Sequence, residues 1–381
     1  MIIQGKIPGR ETGVSVAIDK GKVAQVAPLQ KKSPCDFGGP DLYLCPGFFD
    51  PQVNGFAGVD FNSPRLTPEG LHQTAFSLAS TGVTRFLPTL ITSSYERTVS
   101  QLKILTEALR EDPLLKKMCL GIHLEGPYIS PEEGPRGAHL REFVRLPLWE
   151  ELERFQEICD GRIKCVTLAP EVEGAIAFIE KAVTHGIVIG IGHTGATEED
   201  LDRAVRAGAR LSCHLGNAPS GPLPRYRKLI EKQLATDQLM ASIIVDGIHL
   251  PGNVVKDYVW AKGIHRIVLT TDSMAGAGAP PGRYTLGDQE VEVGPDRAAR
   301  SIKTSRLAGS TLTMNRAITN VIQFAGVDLA SAIRMAAKNG RELFPEVKGE
   351  IVSGDSADLV LFEYEGSVTI RFTWIGGERV F

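Results

Sequence analysis

Eight short apolar runs, spaced along the middle of the chain, restrict what this sequence can fold into. They lie at 42–53, 82–90, 118–125, 163–169, 187–192, 210–215, 240–245 and 266–271. Stretches with helical spacing of apolar residues separate most of them, at 67–80, 94–111, 173–185, 198–207 and 253–262. Strands that alternate with helices form parallel sheets, and eight consecutive units close into a barrel. Thr197-Glu198-Glu199-Asp200 is a capping-box sequence, so a helix is expected to start just after the fifth run.

The two ends read differently. Residues 14–19 and 22–27 alternate apolar and polar side chains around a Lys20-Gly21 turn, and 358–363 and 368–375 repeat that style. The expected fold class is therefore α/β. A (β/α)8 TIM-like barrel would occupy 48–349, with a small β-sandwich domain formed by both termini, 1–47 and 350–381.

Composition narrows the function. The 381 residues carry a net charge of −3, against the basic face that a nucleic-acid or membrane-surface protein needs. No apolar run reaches transmembrane length, and the N-terminus lacks the basic and long apolar regions of a signal peptide. Six scattered cysteines without a C-x-x-C pair read as reduced thiols, so a cytoplasmic location is expected.

Chemistry gathers at the ends of the runs. The third ends in Glu125, stopped by Gly126-Pro127; the fifth leads into His193, the sixth contains His214, and Asp272 follows the eighth. In a closed barrel these ends ring one axis. Two imidazoles and a carboxylate with an open position make a catalytic metal set, whereas a closed structural site favours cysteines. A lone histidine at a strand end is more often a satisfied hydrogen-bonding group. Two on adjacent strands, with two acids on the same rim, favour metal ligation. Gly190-Ile191-Gly192-His193-Thr194-Gly195 also matches the G-x-G-x-x-G dinucleotide turn. The following run offers no acidic residue for a ribose, and His193 stands where a pyrophosphate would need bare backbone. An NAD-linked enzyme is the weaker reading.

A longer set of motifs carries a resemblance. It comprises Pro46-Gly47-Phe48-Phe49-Asp50, Gly82-Val83-Thr84 with Leu87-Pro88-Thr89-Leu90, His123-Leu124-Glu125-Gly126-Pro127, and Gly137-Ala138-His139. It continues through Gly192-His193-Thr194, His214 with Asn217-Ala218, Asp246-Gly247-Ile248-His249, Thr271-Asp272 and the segment from Leu307 to Met314. In this order the motifs resemble the N-acetylglucosamine-6-phosphate deacetylases of the amidohydrolase superfamily, nearly end to end. The resemblance implies the barrel with its β-sandwich and a homodimer. It implies metal ligands Glu125, His193 and His214, and Asp272 as the base that accepts water's proton and returns it to the leaving amine. By the same resemblance His249 orients the acetamide carbonyl and His139 contacts a sugar hydroxyl. Asn217 and Ala218 would hold the phosphate through backbone amides, helped by Arg225, or failing it Arg227, from the neighbouring subunit.

Departures from the family pattern shape the expectation. Gln52-Val53-Asn54 stands where two-metal amidohydrolases carry H-x-H, and amide side chains are poor ligands. One divalent ion per subunit is expected: zinc suits the donors, and iron, cobalt or manganese also fit them. Gly216 replaces an aromatic residue and Pro219 a methionine, which alters the 216–227 loop. The expected activity is release of acetate from N-acetylglucosamine 6-phosphate. The alternatives are an unphosphorylated or galacto-configured acetamido sugar, an N-acyl amino acid, and a sugar-binding relative without catalysis.

Overall fold

The computed structural model describes residues 1–30, 34–217, 228–345 and 349–381. Eight parallel strands form the centre: Phe48–Val53, Val83–Ile91, Ile122–Glu125, Ile163–Leu168, Val188–Ile191, Leu211–Ser212, Met240–Ile243 and Ile267–Leu269. Each pairs in parallel with the next in chain order. The eighth and first strands share no ladder among the described residues; a parallel bridge between Val53 and Ser273 closes the seam. Asp50 reinforces it, accepting from Thr270 Oγ1 at 3.0 Å, Thr271 N at 3.1 Å and Thr271 Oγ1 at 2.5 Å. The barrel is thus a filled (β/α)8 core. Phe49, Leu87, Cys165, Leu211 and Phe344 pack its lower interior, and the polar residues collect at the strands' C-terminal ends.

Local chemistry explains the boundaries. Thr67 Oγ1 accepts from Gly70 N at 3.2 Å, and Pro68 opens the helix Pro68–Ala79, where its missing N–H leaves nothing unpaired. The Thr197–Asp200 capping box forms as the sequence suggests and starts the helix Glu198–Ala207. Several expected strands differ in extent, among them the third, the first and the sixth, which is only Leu211–Ser212. Met118 closes a short helix, Pro113–Met118, because Asp112 caps the amides of Leu114 and Leu115; the third strand starts only at Ile122. The first run divides at Gly47, where a Cβ would lie 2.1 Å from Thr84 Oγ1. Its N-terminal part, Phe37–Pro46, leaves the barrel for a second sheet.

That second sheet draws on both ends of the chain. Phe37–Pro46 pairs antiparallel with Leu359–Tyr364 on one side and parallel with Ile2–Lys6 on the other, in a sheet of seven strands. Ile3, Val16, Leu44, Leu361 and Trp374 form its buried face.

One element was not foreseen from the sequence. Gly282–Leu286, Gln289–Val293 and Ala299–Ser301 form an antiparallel sheet between the eighth strand and the helix Met314–Ala325. Asp60 anchors it, accepting from Thr285 Oγ1 at 2.8 Å and Gly287 N at 2.9 Å. All six cysteines are free thiols. No helix among the described residues is long and apolar enough to cross a membrane.

Candidate metal centre and active site

Glu125, His193 and His214 meet at the C-terminal mouth of the barrel, with potential ligand atoms all within 4.8 Å of one another. His193 Nε2 lies 3.1 Å from Glu125 Oε1 and 3.2 Å from His214 Nε2. Nitrogen and oxygen donors at about 2.0–2.1 Å from a tetrahedral zinc stand about 3.3 Å apart, so these spacings fit a chelated ion. His214 Nε2 is closer to Glu125 Oε1, at 2.6 Å, a direct hydrogen bond that a bound ion would replace.

Backbone conformation turns these groups inward. His193, His214 and Asp272 have φ of 50°, 31° and 48°, in the left-handed region that most residues avoid. Each lies just past a strand, where this twist carries the chain into the loop and leaves the side chain on the barrel axis. Such conformations persist only where the surroundings hold them, and they collect at functional sites. The tautomer of His193 is set as well. Its Nδ1–H donates to Pro135 O at 3.2 Å, which leaves the Nε2 lone pair for a metal.

Electrostatics agrees with an ionised carboxylate among imidazoles. Burial alone pushes the Glu125 carboxyl up, but the hydrogen bonds and charges of His193 and His214 outweigh it and hold it well below the usual range. Beneath the site His123 is a structural histidine, with Nδ1 on Pro51 O and Nε2 on Thr167 Oγ1. Burial pushes it down to about 4, so the ring is neutral at pH 7.

Asp272 stands beside this set, and its Oδ1 accepts two amide hydrogen bonds, from Asn54 Nδ2 at 2.7 Å and Gln52 Nε2 at 3.0 Å. The residues standing in place of H-x-H thus grip the aspartate. Burial, followed by the Glu125 charge, raises its carboxyl to about 7. That grip was not read from the sequence, although the spacing of Gln52 and Asn54 puts both side chains on one face of the first strand.

The other expected residues fall into place unevenly. His249 is held in a turn: Asp246 Oδ2 takes its Nδ1 at 2.7 Å, and the buried Nε2 has no partner among the described residues. His139 is buried, its ring edge-on to His193 with centroids 4.2 Å apart, and its Nδ1 is unpartnered among the described residues. Asn217 lines the cavity; Ala218, Arg225 and Arg227 lie outside the described residues. The cavity, about 480 Å³, also holds Asn54, Glu125, His139, His193 and Asp272.

Its outer wall was missed from the sequence. Leu286, Gln289 and Arg306 line it from the antiparallel insertion and the segment after it. Gln289 Nε2 donates to Ala138 O at 2.7 Å, and Arg306 Nη1 donates to Gly137 O at 3.2 Å, so both secure the loop that bears His139. The alternation of 283–286 and 289–293 around Gly287-Asp288 was a hairpin signal available in the sequence.

A (β/α)8 barrel with two imidazoles and a carboxylate on its C-terminal rim, and an aspartate beside them, has the architecture of a metal-dependent hydrolase. A model of the amidohydrolase family matches residues 43–380. N-acetylglucosamine-6-phosphate deacetylase of Lysinibacillus sphaericus is 31% identical over 93% of this chain and 90% of its own length. N-acetylgalactosamine-6-phosphate deacetylase of Escherichia coli O157:H7 is 33% identical over 88% of this chain and 87% of its own. The structure of N-acetyl-D-glucosamine-6-phosphate deacetylase from Mycobacterium smegmatis, a mutant in complex with N-acetyl-D-glucosamine-6-phosphate, matches with a TM-score of 0.91. It is 28% identical and covers 100% of this chain and 99% of its own. The chain belongs to the amidohydrolase family, in its N-acetylglucosamine-6-phosphate deacetylase branch.

Proposed function

We propose that this chain hydrolyses the acetamide of N-acetylglucosamine 6-phosphate, releasing acetate and glucosamine 6-phosphate. The observation that carries this reading is the convergence of Glu125, His193 and His214 within 4.8 Å, with Asp272 in the same cavity. The three would hold one divalent ion, zinc by donor chemistry. Bound there, the ion supplies a lowered pKa for water and polarisation of the acetamide carbonyl.

The chain's own groups account for the proton movements. With Asp272 Oδ1 occupied by Asn54 and Gln52, Oδ2 is the oxygen left to take the proton of the attacking water and return it to the departing nitrogen. Asp246 holds Nδ1 of His249 and leaves Nε2 for the acetamide oxygen, to which it donates when the ring carries both protons. His139 is placed to meet a sugar hydroxyl, and Asn217 marks the end of the cavity that would receive the phosphate. Ala218 and an Arg225 lent by a second subunit complete that end in a homodimer working in the cytoplasm. The division into a barrel, 48–349, and a β domain, 1–47 with 350–381, is supported by the departure of Phe37–Pro46 from the barrel at Gly47.

A galacto-configured substrate is the second reading, favoured by the similarity to the N-acetylgalactosamine-6-phosphate deacetylase. Acetate release from both sugars, each with and without the 6-phosphate, on protein of measured metal content, tests the assignment. Preference for phosphorylated N-acetylglucosamine is expected. Preference for the galacto sugar would establish the second reading, and no release from any of the four would overturn both.

A further inference from the structure

Apart from His193, the glycine motif at 190–195 has no part in the chemistry above. Two of its glycines have packing reasons. A Cβ at Gly190 would lie 2.7 Å from Thr167 Oγ1 and one at Gly192 2.8 Å from Thr167 Cγ2, so both let the fourth and fifth strands approach. The third is different. Gly195 N donates to Glu171 Oε1 at 2.7 Å, and Thr194 Oγ1 donates to Glu171 Oε2 at 2.5 Å. Strand-turn-helix junctions of this kind present free amides at a helix start, where dinucleotide-binding proteins hold phosphate. Here the anion at the turn is a carboxylate of the same chain, supplied from just beyond the fourth strand, Ile163–Leu168.

We propose that Glu171 is a positioning residue for His193, serving as an internal anion that fills the turn and holds the imidazole on the barrel axis. His193 directly precedes the two residues that Glu171 grips, and it keeps a left-handed backbone at φ 50°. The same loop packs beneath Pro135: a Cβ at Gly195 would lie 3.5 Å from Pro135 Cγ, and Pro135 O fixes the His193 tautomer. Releasing the carboxylate frees the loop to relax out of that conformation and carries the imidazole off the axis. The occupied turn also has no place for a nucleotide phosphate. The inference rests on reading His193 as a metal ligand.

The test is zinc affinity of the full chain, measured by chelator competition, for Glu171→Ala, Glu171→Gln, Thr194→Val and the control His193→Ala. Outer partners of a ligand typically govern affinity by about 10–100-fold, and a loss in that range is expected for Glu171→Ala. Glu171→Gln keeps one acceptor and should lose less, as should Thr194→Val. Excess formate, an anion small enough to enter the vacated turn, should recover part of the loss in Glu171→Ala and leave the unaltered chain unchanged. Wild-type affinity in Glu171→Ala, beside a large loss in His193→Ala, would overturn this inference and leave the metal site standing. Unchanged affinity in His193→Ala would overturn the metal reading itself. A loss that formate does not touch, equal in Glu171→Ala and Glu171→Gln, would mean that no anion is needed at the turn. Should Glu171→Ala not fold, unchanged affinity in both Glu171→Gln and Thr194→Val would be decisive against it.

Discussion

Asn54 and Asp272 stand 218 positions apart, yet Asn54 Nδ2 donates to Asp272 Oδ1 at 2.7 Å across the seam between the first and eighth barrel strands. In a chain that carries Gln52-Val53-Asn54 in place of H-x-H, both amides donate to Asp272 Oδ1, which leaves Oδ2 for the proposed base chemistry. Asn54→Ala is expected to lower kcat by about 10–100-fold while metal content stays the same. Steady-state kinetics and metal analysis on one preparation check this, and an unaltered kcat would remove the amide from the reaction.

Asp272→Asn keeps the size of the side chain and removes the proposed base. Turnover is expected to fall by at least on the order of 10³-fold, the scale of a general base, with the metal retained. Loss of the metal from this variant would make Asp272 a ligand instead.

His193→Ala and His214→Ala should lose metal and activity together, because either change leaves two donors of a three-residue set. Stripped protein titrated with zinc should regain activity to a break at one equivalent per chain. A break at two would show that Gln52 and Asn54 tolerate a second ion.

Arg225→Ala should raise KM for a phosphorylated substrate far more than it lowers kcat, the signature of lost uniform binding. An equal KM for phosphorylated and unphosphorylated sugar in the unaltered enzyme would assign Arg225 no phosphate role.

Asp60 offers a pH test away from the metal. Burial raises its carboxyl to about 6, against the hydrogen bonds of Thr285, Asn62 and Gly287. The unfolded chain has a carboxyl near 3.9, so the folded state binds this proton more tightly. The stability it contributes is complete below about pH 4 and is lost as pH rises through about 6, up to about 3 kcal/mol for a shift of two units. Asp60→Asn cannot ionise. The melting temperature of the unaltered chain should therefore fall relative to the variant between about pH 4 and pH 6 and run parallel to it above that. Curves parallel throughout would mean that the three hydrogen bonds cancel the cost of burial.

The barrel could be read from sequence because its strands are covered on both faces, so each appears as an apolar run without alternation. Strand ends were less legible. The sixth strand is only Leu211–Ser212, since the chain must twist to φ 31° at His214, and a backbone twist at a histidine leaves no trace in composition. Glu125, His193, His214 and Asp272 could be listed as candidates because each follows or ends a run. Partners that meet only through the pairing of strands in space could not. Gln52 and Asn54 reach Asp272 because the first strand meets the eighth, and Glu171 reaches Gly195 because the fourth meets the fifth. The outer wall bearing Leu286 and Gln289 had a recognisable turn, but local pattern does not say where a hairpin folds back.

The seam itself has a mechanical consequence. The proposed base hangs from one bank of the boundary that carries no continuous ladder among the described residues, and the amides that aim it hang from the other. Fluctuations that part the two banks, and expose the Asn54 amide that donates to Ser273 O at 2.8 Å, also release the carboxylate. Opening of the seam is thus expected to undo the alignment of the proposed base, and deuterium uptake at the Asn54 backbone amide is expected to rise together with loss of activity.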